Sequence, residues 1–254
     1  MTIKTATLNG VATIEIARPE KKNALTAAMY SAMAEALAAA NADAAVRAVL
    51  IAGQPGVFTS GNDLEDFMQR PPAGADSPVY RFMQALLDCE KPVVAAVTGA
   101  AVGIGTTMLL HCDLVYAGEG ARFQLPFVTL ALCPEAASSL LLPRLAGHQR
   151  AAELLFFGEP FNAAKAHEIG LANAVLPDAG VLAHARERAQ KLAALPAASL
   201  RETKRLMKQS VAALVPQVMQ DEGEIFKRQL ASPAAKEAFA AFLEKRKPDF
   251  SKFG

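Results

Sequence analysis

Lys91-Pro92-Val93-Val94-Ala95-Ala96-Val97-Thr98-Gly99-Ala100-Ala101-Val102-Gly103-Ile104-Gly105 sets the architecture of this chain. Pro92 to Val97 is a short, unbroken apolar run and reads as a buried strand. The glycines after it, followed by the apolar run Met108 to Leu110, read as a tight turn feeding a buried helix. A helix starting there aims unpaired N–H groups and a positive dipole end at whatever occupies the strand's end. The spacing G-x-x-x-G-x-G is neither a dinucleotide fingerprint nor a P-loop, and no Gly-Lys-Ser/Thr follows. On these residues alone, an anion site and close helix–strand packing are equally well served.

Outward from that stretch the first half alternates strand and helix. Val11 to Ile16, Ala48 to Ile51 and Asp113 to Ala117 read as further strands. An Ala- and Met-rich helix opens at Thr26 and runs to about Asn41, and another spans Val79 to Cys89, stopping before Pro92. Such alternation implies parallel pairing with crossover helices. Beyond Glu135 the one strand signal is Leu171 to Leu176. Helical patterns cover Gln149 to Phe157, Asn162 to Ile169 and Val181 to Ala194, and another begins near Ser199. The last is capped by Ser232, has Pro233 in its first turn, and carries Phe239, Phe242 and Leu243 on one face. The expected organisation is an α/β core over residues 1–195 and a helical region over 196–254.

At 254 residues the chain can bury one full core with a small appendage. Hydrophobic residues make up 52% and charged residues 20%, a globular rather than a disordered composition. Lys and Arg number 26 against 25 Asp and Glu, a net charge of +1 that argues against a nucleic-acid partner. No apolar run reaches a membrane span, and Met1 to Thr7 lacks a signal-peptide core, so a cytoplasmic protein without membrane contact is expected. Cys89, Cys112 and Cys133 form no CxxC pair, and His111, His148, His167 and His184 show no ligand spacing. Neither a disulfide framework nor a metal site is expected.

Two segments besides the glycine turn carry chemical interest. Phe58-Thr59-Ser60-Gly61-Asn62-Asp63-Leu64 follows the strand Ala48 to Ile51, where α/β folds bind ligands at strand C-termini; it also suits a plain Asn-Asp turn. In Cys133-Pro134-Glu135-Ala136-Ala137-Ser138-Ser139, Glu135 is the one acidic residue between Phe123 and Leu142. Apolar surroundings raise a carboxyl pKa toward the range of a general base, although on this segment alone the position after a proline is better read as a capping or surface glutamate.

With these segments in order, the chain resembles the crotonase superfamily, the enoyl-CoA hydratases and isomerases. The resemblance starts at Arg18-Pro19-Glu20-Lys21-Lys22-Asn23-Ala24-Leu25. It continues through Phe58 to Leu64, Lys91 to Gly105, Cys112-Asp113-Leu114-Val115-Tyr116-Ala117 and Gly170-Leu171-Ala172-Asn173, and closes on Phe242-Leu243-Glu244-Lys245-Arg246-Lys247. It implies an α/β fold, a crotonase-like spiral of ββα turns with a helical C-terminal trimerisation region. It also implies an acyl-CoA thioester substrate, with coenzyme A part of the substrate and no separate cofactor, and a homotrimer or dimer of trimers. Carried over by position, the family's oxyanion hole falls on the backbone N–H groups of Asn62 and Ile104. Asn23, Ala24 and Leu25 line the adenine end, while Ser60, Gly61, Asp63, Leu64 and Gly103 flank the oxyanion donors. Phe127 and Leu132 belong to the acyl pocket, whose depth depends on Phe67, Met68, Phe82 and Met83. The resemblance further implies that Phe242 and Lys245 reach the nucleotide of an adjacent subunit.

The resemblance also bears on the reaction. The two hydratase glutamates align with Thr107 and Phe127, so both carboxylates are missing and hydration by a pair of acids is disfavoured. Glu135 falls where the Δ3,Δ2-enoyl-CoA isomerases place their single glutamate, and Pro-Glu-x-x-Ser-Ser is similar to the peroxisomal branch of those enzymes. The alternatives are a hydratase or other crotonase-type reaction using Glu135 and water, and a non-catalytic CoA-ester binding protein.

Overall fold

The computed structural model describes residues 2–69, 74 and 76–253, the side chains of 68 and 69 excepted; Met68 as a pocket residue therefore lies outside what is described. In chain order the strands are β1 (Ile3–Leu8), β2 (Val11–Ile16), β3 (Ala48–Ala52), β4 (Val57–Thr59) and β5 (Val93–Val97). Then come β6 (Ala100–Val102), β7 (Leu114–Gly118), β8 (Arg122–Gln124), β9 (Phe161–Asn162) and β10 (Ala174–Leu176). The helices begin with α1 (Ala27–Ala42), α2 (Leu64–Gln69), α3 (Pro78–Asp88), α4 (Ile104–Thr107), α5 (Ser138–Ala146) and α6 (His148–Phe157). They continue with α7 (Ala163–Glu168), α8 (Asp178–Ala193), α9 (Ala197–Lys208), α10 (Leu214–Leu230) and α11 (Pro233–Leu243).

Two sheets run side by side. The larger has the order β1-β2-β3-β5-β7-β10 and the smaller β4-β6-β8-β9. Each of β3, β5 and β7 is followed at once by a strand of the smaller sheet, so the chain climbs in successive ββα turns, the spiral that the resemblance implies. All residues of β3 and β5 are buried, as expected of parallel strands covered on both faces. One face packs with Met29, Met33, Leu37, Phe82 and Leu86 of α1 and α3. The other packs with Val181, Ala185 and Ala189 of α8.

The corner between β5 and β6 requires glycine. Gly99 has φ +64°, and a Cβ there would lie 1.7 Å from the Gly56 carbonyl oxygen. Short polar side chains fix the helix starts: Thr26, Ser77, Asn162 and Ser232 accept from the N–H of Met29, Tyr80, Lys165 and Ala235.

Two expectations need correction. The strand read over Leu171 to Leu176 is only Ala174–Leu176, because the N–H groups of Leu171 and Ala172 both donate to the Ala166 carbonyl. With Gly170 at φ +84°, these residues close the end of α7 instead. In α11, Phe239 is buried while Phe242 and Leu243 are exposed, so the expected single apolar face is divided between core and surface. Among the described residues no helix is long and apolar enough to cross a membrane, and no cluster of three or more His, Cys, Asp or Glu could hold a metal.

Candidate active site

The site assembles from loops that leave the C-terminal ends of the small sheet's strands. After β4, Gly61 turns with φ +91°, and a Cβ there would lie 2.8 Å from the Val102 carbonyl oxygen. The loop after β4 is thereby pressed against the end of β6, bringing Asn62 beside the Gly103–Ile104 turn. Leu25 pairs across this loop: its N–H donates to Gly61 O at 2.8 Å, and its carbonyl accepts from Asp63 N–H at 2.9 Å. In such parallel pairing the N–H of the intervening Asn62 points away from Leu25. Ile104 is the first residue of α4, so its N–H has no intrahelical acceptor. Neither N–H has a hydrogen-bond partner among the described residues. Two free donors on adjacent loops suit an oxygen on which negative charge develops.

Side chains around them lock that geometry. Tyr30 Oη donates to Asn62 Oδ1 at 2.5 Å. Burial, reinforced by the charge of Glu135, raises the Tyr30 pKa well above its ordinary value and keeps this phenol protonated. Arg18 Nη1 bridges Asp63 Oδ2 at 2.7 Å and the Ala24 carbonyl at 2.9 Å. Ser60 N–H donates to the Lys22 carbonyl, and half-buried Leu64 opens α2. Asn23 requires a correction: it is fully buried, and its side chain is consumed within the fold. Its Nδ2 donates to the carbonyls of Ile16, Val57 and Phe58, while its Oδ1 accepts from Arg18 N–H. Asn23 therefore shapes the 18–25 loop and lines no ligand surface. Leu25 is buried too; its backbone pairs with Gly61 and Asp63, and it lines a small cavity with Tyr30 and Asn62.

Glu135 is carried by a loop that follows a tight turn at Phe127–Leu132, where Leu132 N–H returns to the Phe127 carbonyl. Phe127 and Leu132 are both buried. The half-buried Glu135 points its carboxylate toward the glycine turn: Oε1 lies 4.0 Å from the position of a Cβ on Gly103. This carboxylate makes no hydrogen bond or ion pair among the described residues. Desolvation first, and then the charge of Glu222, push its pKa up from 4.5 to about 8. Thr107 is wholly buried, and its Oγ1 has no hydrogen-bond partner among the described residues.

Three further groups meet at this loop and carry no local sign in the sequence. Ala136 and Ala137 adopt φ +59° and +55°, a left-handed pair without glycine. His111 Nε2 lies 2.7 Å from the Ala136 carbonyl; burial lowers its pKa to about 4, so the neutral ring donates that hydrogen bond. Glu222 of α10 is buried and accepts from Ala137 N–H at 2.6 Å, Ser139 N–H at 3.0 Å and Ser139 Oγ at 2.5 Å. The buried environment raises the Glu222 pKa, an effect these hydrogen bonds partly offset. Phe242 and Lys245 are exposed at the end of α11, outside this cluster.

A sequence model of the family described as Enoyl-CoA hydratase/isomerase matches residues 6–252. The 2,3-dehydroadipyl-CoA hydratase of Escherichia coli (strain K12) is 33% identical over 234 residues, spanning 92% of this chain and 92% of that protein. Enoyl-CoA delta isomerase 2 of Homo sapiens is 32% identical over 245 residues, spanning 94% of this chain and 62% of that longer protein. Among solved structures, Pseudomonas aeruginosa OdaA superposes with a TM-score of 0.93 at 53% identity, covering 95% of this chain and 98% of the other.

Proposed function

The chain belongs to the enoyl-CoA hydratase/isomerase family, and we propose that within it the protein is a Δ3,Δ2-enoyl-CoA isomerase. It is an acyl-CoA-processing enzyme of the hydratase/isomerase type, and its relatives carry both names. One observation carries the finer reading: Glu135 is an unbonded carboxylate facing the glycine turn, whereas the two hydratase positions hold Thr107 and Phe127. Both oxygens of the nearby Glu222 accept from the turn after Glu135, whereas the Glu135 carboxylate accepts from no donor among the described residues.

A 1,3-proton shift needs one base used twice. Glu135 removes a proton from C2 of a 3-enoyl thioester, and the electron pair spreads through the thioester carbonyl as a dienolate. The N–H groups of Asn62 and Ile104 hold the developing oxyanion, each such donor lowering the barrier by about 3 kcal/mol. Glu135 then returns its proton to C4, and the double bond finishes between C2 and C3. A base whose conjugate acid has a pKa of about 8 is stronger than an ordinary glutamate and still partly ionised near neutrality. The Pro134-Glu135-x-x-Ser138-Ser139 pattern supports grouping the protein with the peroxisomal branch of such isomerases. Coenzyme A enters as part of the substrate, and the scheme uses no other cofactor.

Assaying the purified protein on 3-enoyl-CoA and on trans-2-enoyl-CoA tests this assignment. Isomerisation of the first should far exceed hydration of the second. Faster hydration would make it a hydratase; tight acyl-CoA binding with neither reaction would make it a binding protein.

A further inference from the structure

The buried face of α10 consists of Val215, Met219, Glu222 and Phe226, an apolar stripe at helical spacing with one carboxylate set into it. Packing alone calls for a Leu or Met at that position, since a buried charge is rarely the most stable choice. Glu222 forms no ion pair among the described residues. Its oxygens are held by the N–H groups of Ala137 and Ser139 and by the Ser139 hydroxyl. Those donors belong to the segment directly after Glu135, where Ala136 and Ala137 hold an unfavourable left-handed conformation. His111 grips the Ala136 carbonyl as well, so the turn is clamped by side chains from two separate elements.

We propose that Glu222 is a positioning residue: its carboxylate pins the strained turn that aims Glu135, and its negative charge keeps Glu135 a strong base. The inference rests on Glu135 being the base of the proposed reaction. The two carboxylates play unequal parts. Glu222 has three donors and ionises first, whereas Glu135 has none and is the group that resists a second negative charge. Glu135 is faced by Glu222 from α10, Tyr30 from α1, Cys133 from its own loop, and neutral His111 acting through Ala136. Arg228, further along α10, acts on Cys133 but makes no ion pair with either glutamate among the described residues.

The test is the Glu222→Gln variant, with Glu135 titrated by carboxyl 13C NMR in the ligand-free protein and assigned through Glu135→Gln. The Glu135 midpoint should fall from about 8 by roughly half a unit or more, and the rising limb of kcat/KM should move with it. At a pH where Glu135 is fully ionised, kcat should drop about tenfold with KM little changed, the sign of a misplaced base. A lower melting temperature with an unmoved midpoint and unmoved kcat would overturn the proposal and leave Glu222 a structural cap. If Glu222→Gln does not fold, Ser139→Ala removes the hydroxyl donor to Glu222 Oε1 and loosens its hold on the turn. At a pH where Glu135 is fully ionised, kcat should then drop by less than in Glu222→Gln, again with KM little changed, and an unmoved kcat would overturn the proposal. The titration needs no substrate, so a wild-type protein that fails to isomerise would refute the proposed reaction, while the midpoint would still report whether Glu222 acts on Glu135.

Discussion

Glu135 carries a cost that can be measured without any substrate. Its native pKa, about 8, lies above the ordinary 4.5, so the folded chain keeps a proton that the unfolded chain releases. Stability should therefore fall as pH rises through that window. Glu135→Gln removes the titration, and its melting temperature should exceed the wild type's by a margin that widens by roughly 3 °C or more between about pH 5 and about pH 8. A margin constant with pH would mean the carboxylate is well solvated. The same residue shows how far the sequence could be read. Its apolar neighbours are adjacent in the chain, so its desolvation was legible. Glu222 and Tyr30 were not, because each meets the Glu135 site only through folding, and a glutamate on a helix otherwise reads as a solvated face. Asn23 misled in the opposite direction: it lies in the right segment, but its amide is spent on Arg18, Ile16, Val57 and Phe58.

Elements with continuous apolar runs or capping residues were legible, and those defined by partners were not. β3, β5 and α1 follow from local pattern, with Thr26 accepting from Met29 N–H as a cap should. β1 exposes five of its six residues, so no alternation marks it. β4, β6 and β8 span three residues each and exist only because the spiral stacks them. That stacking depends on the corner at Gly99. Gly99→Ala should cost about 3 kcal/mol or more in urea unfolding, because its Cβ would meet backbone at 1.7 Å in a left-handed conformation. Gly180→Ala in α8, where nothing lies near the added carbon, should instead stabilise by about 0.5 kcal/mol. Equal effects of the two substitutions would show that the corner relaxes freely.

Across the whole molecule, the C-terminal helices belong to the same core as the sheets. Val215, Met219, Phe226 and Phe239 join the cluster that contains Ile104 and Phe127, and Glu222 reaches the loop of Glu135. The same region leaves Met207, Phe242 and Leu243 exposed. The homotrimer, or dimer of trimers, that the family resemblance implies would give these side chains partners, and sedimentation at micromolar concentration should find a multiple of the 26.8 kDa chain. A persistent monomer would leave Phe242 and Lys245 without a role at a neighbouring nucleotide. The central claim, that one carboxylate carries the proton from C2 to C4, is tested most directly by Glu135→Gln assayed on 3-enoyl-CoA beside direct acyl-CoA binding. Turnover should fall about a thousandfold while the binding constant stays within a few-fold of the wild type's. Isomerisation at the wild-type rate in that variant would contradict it.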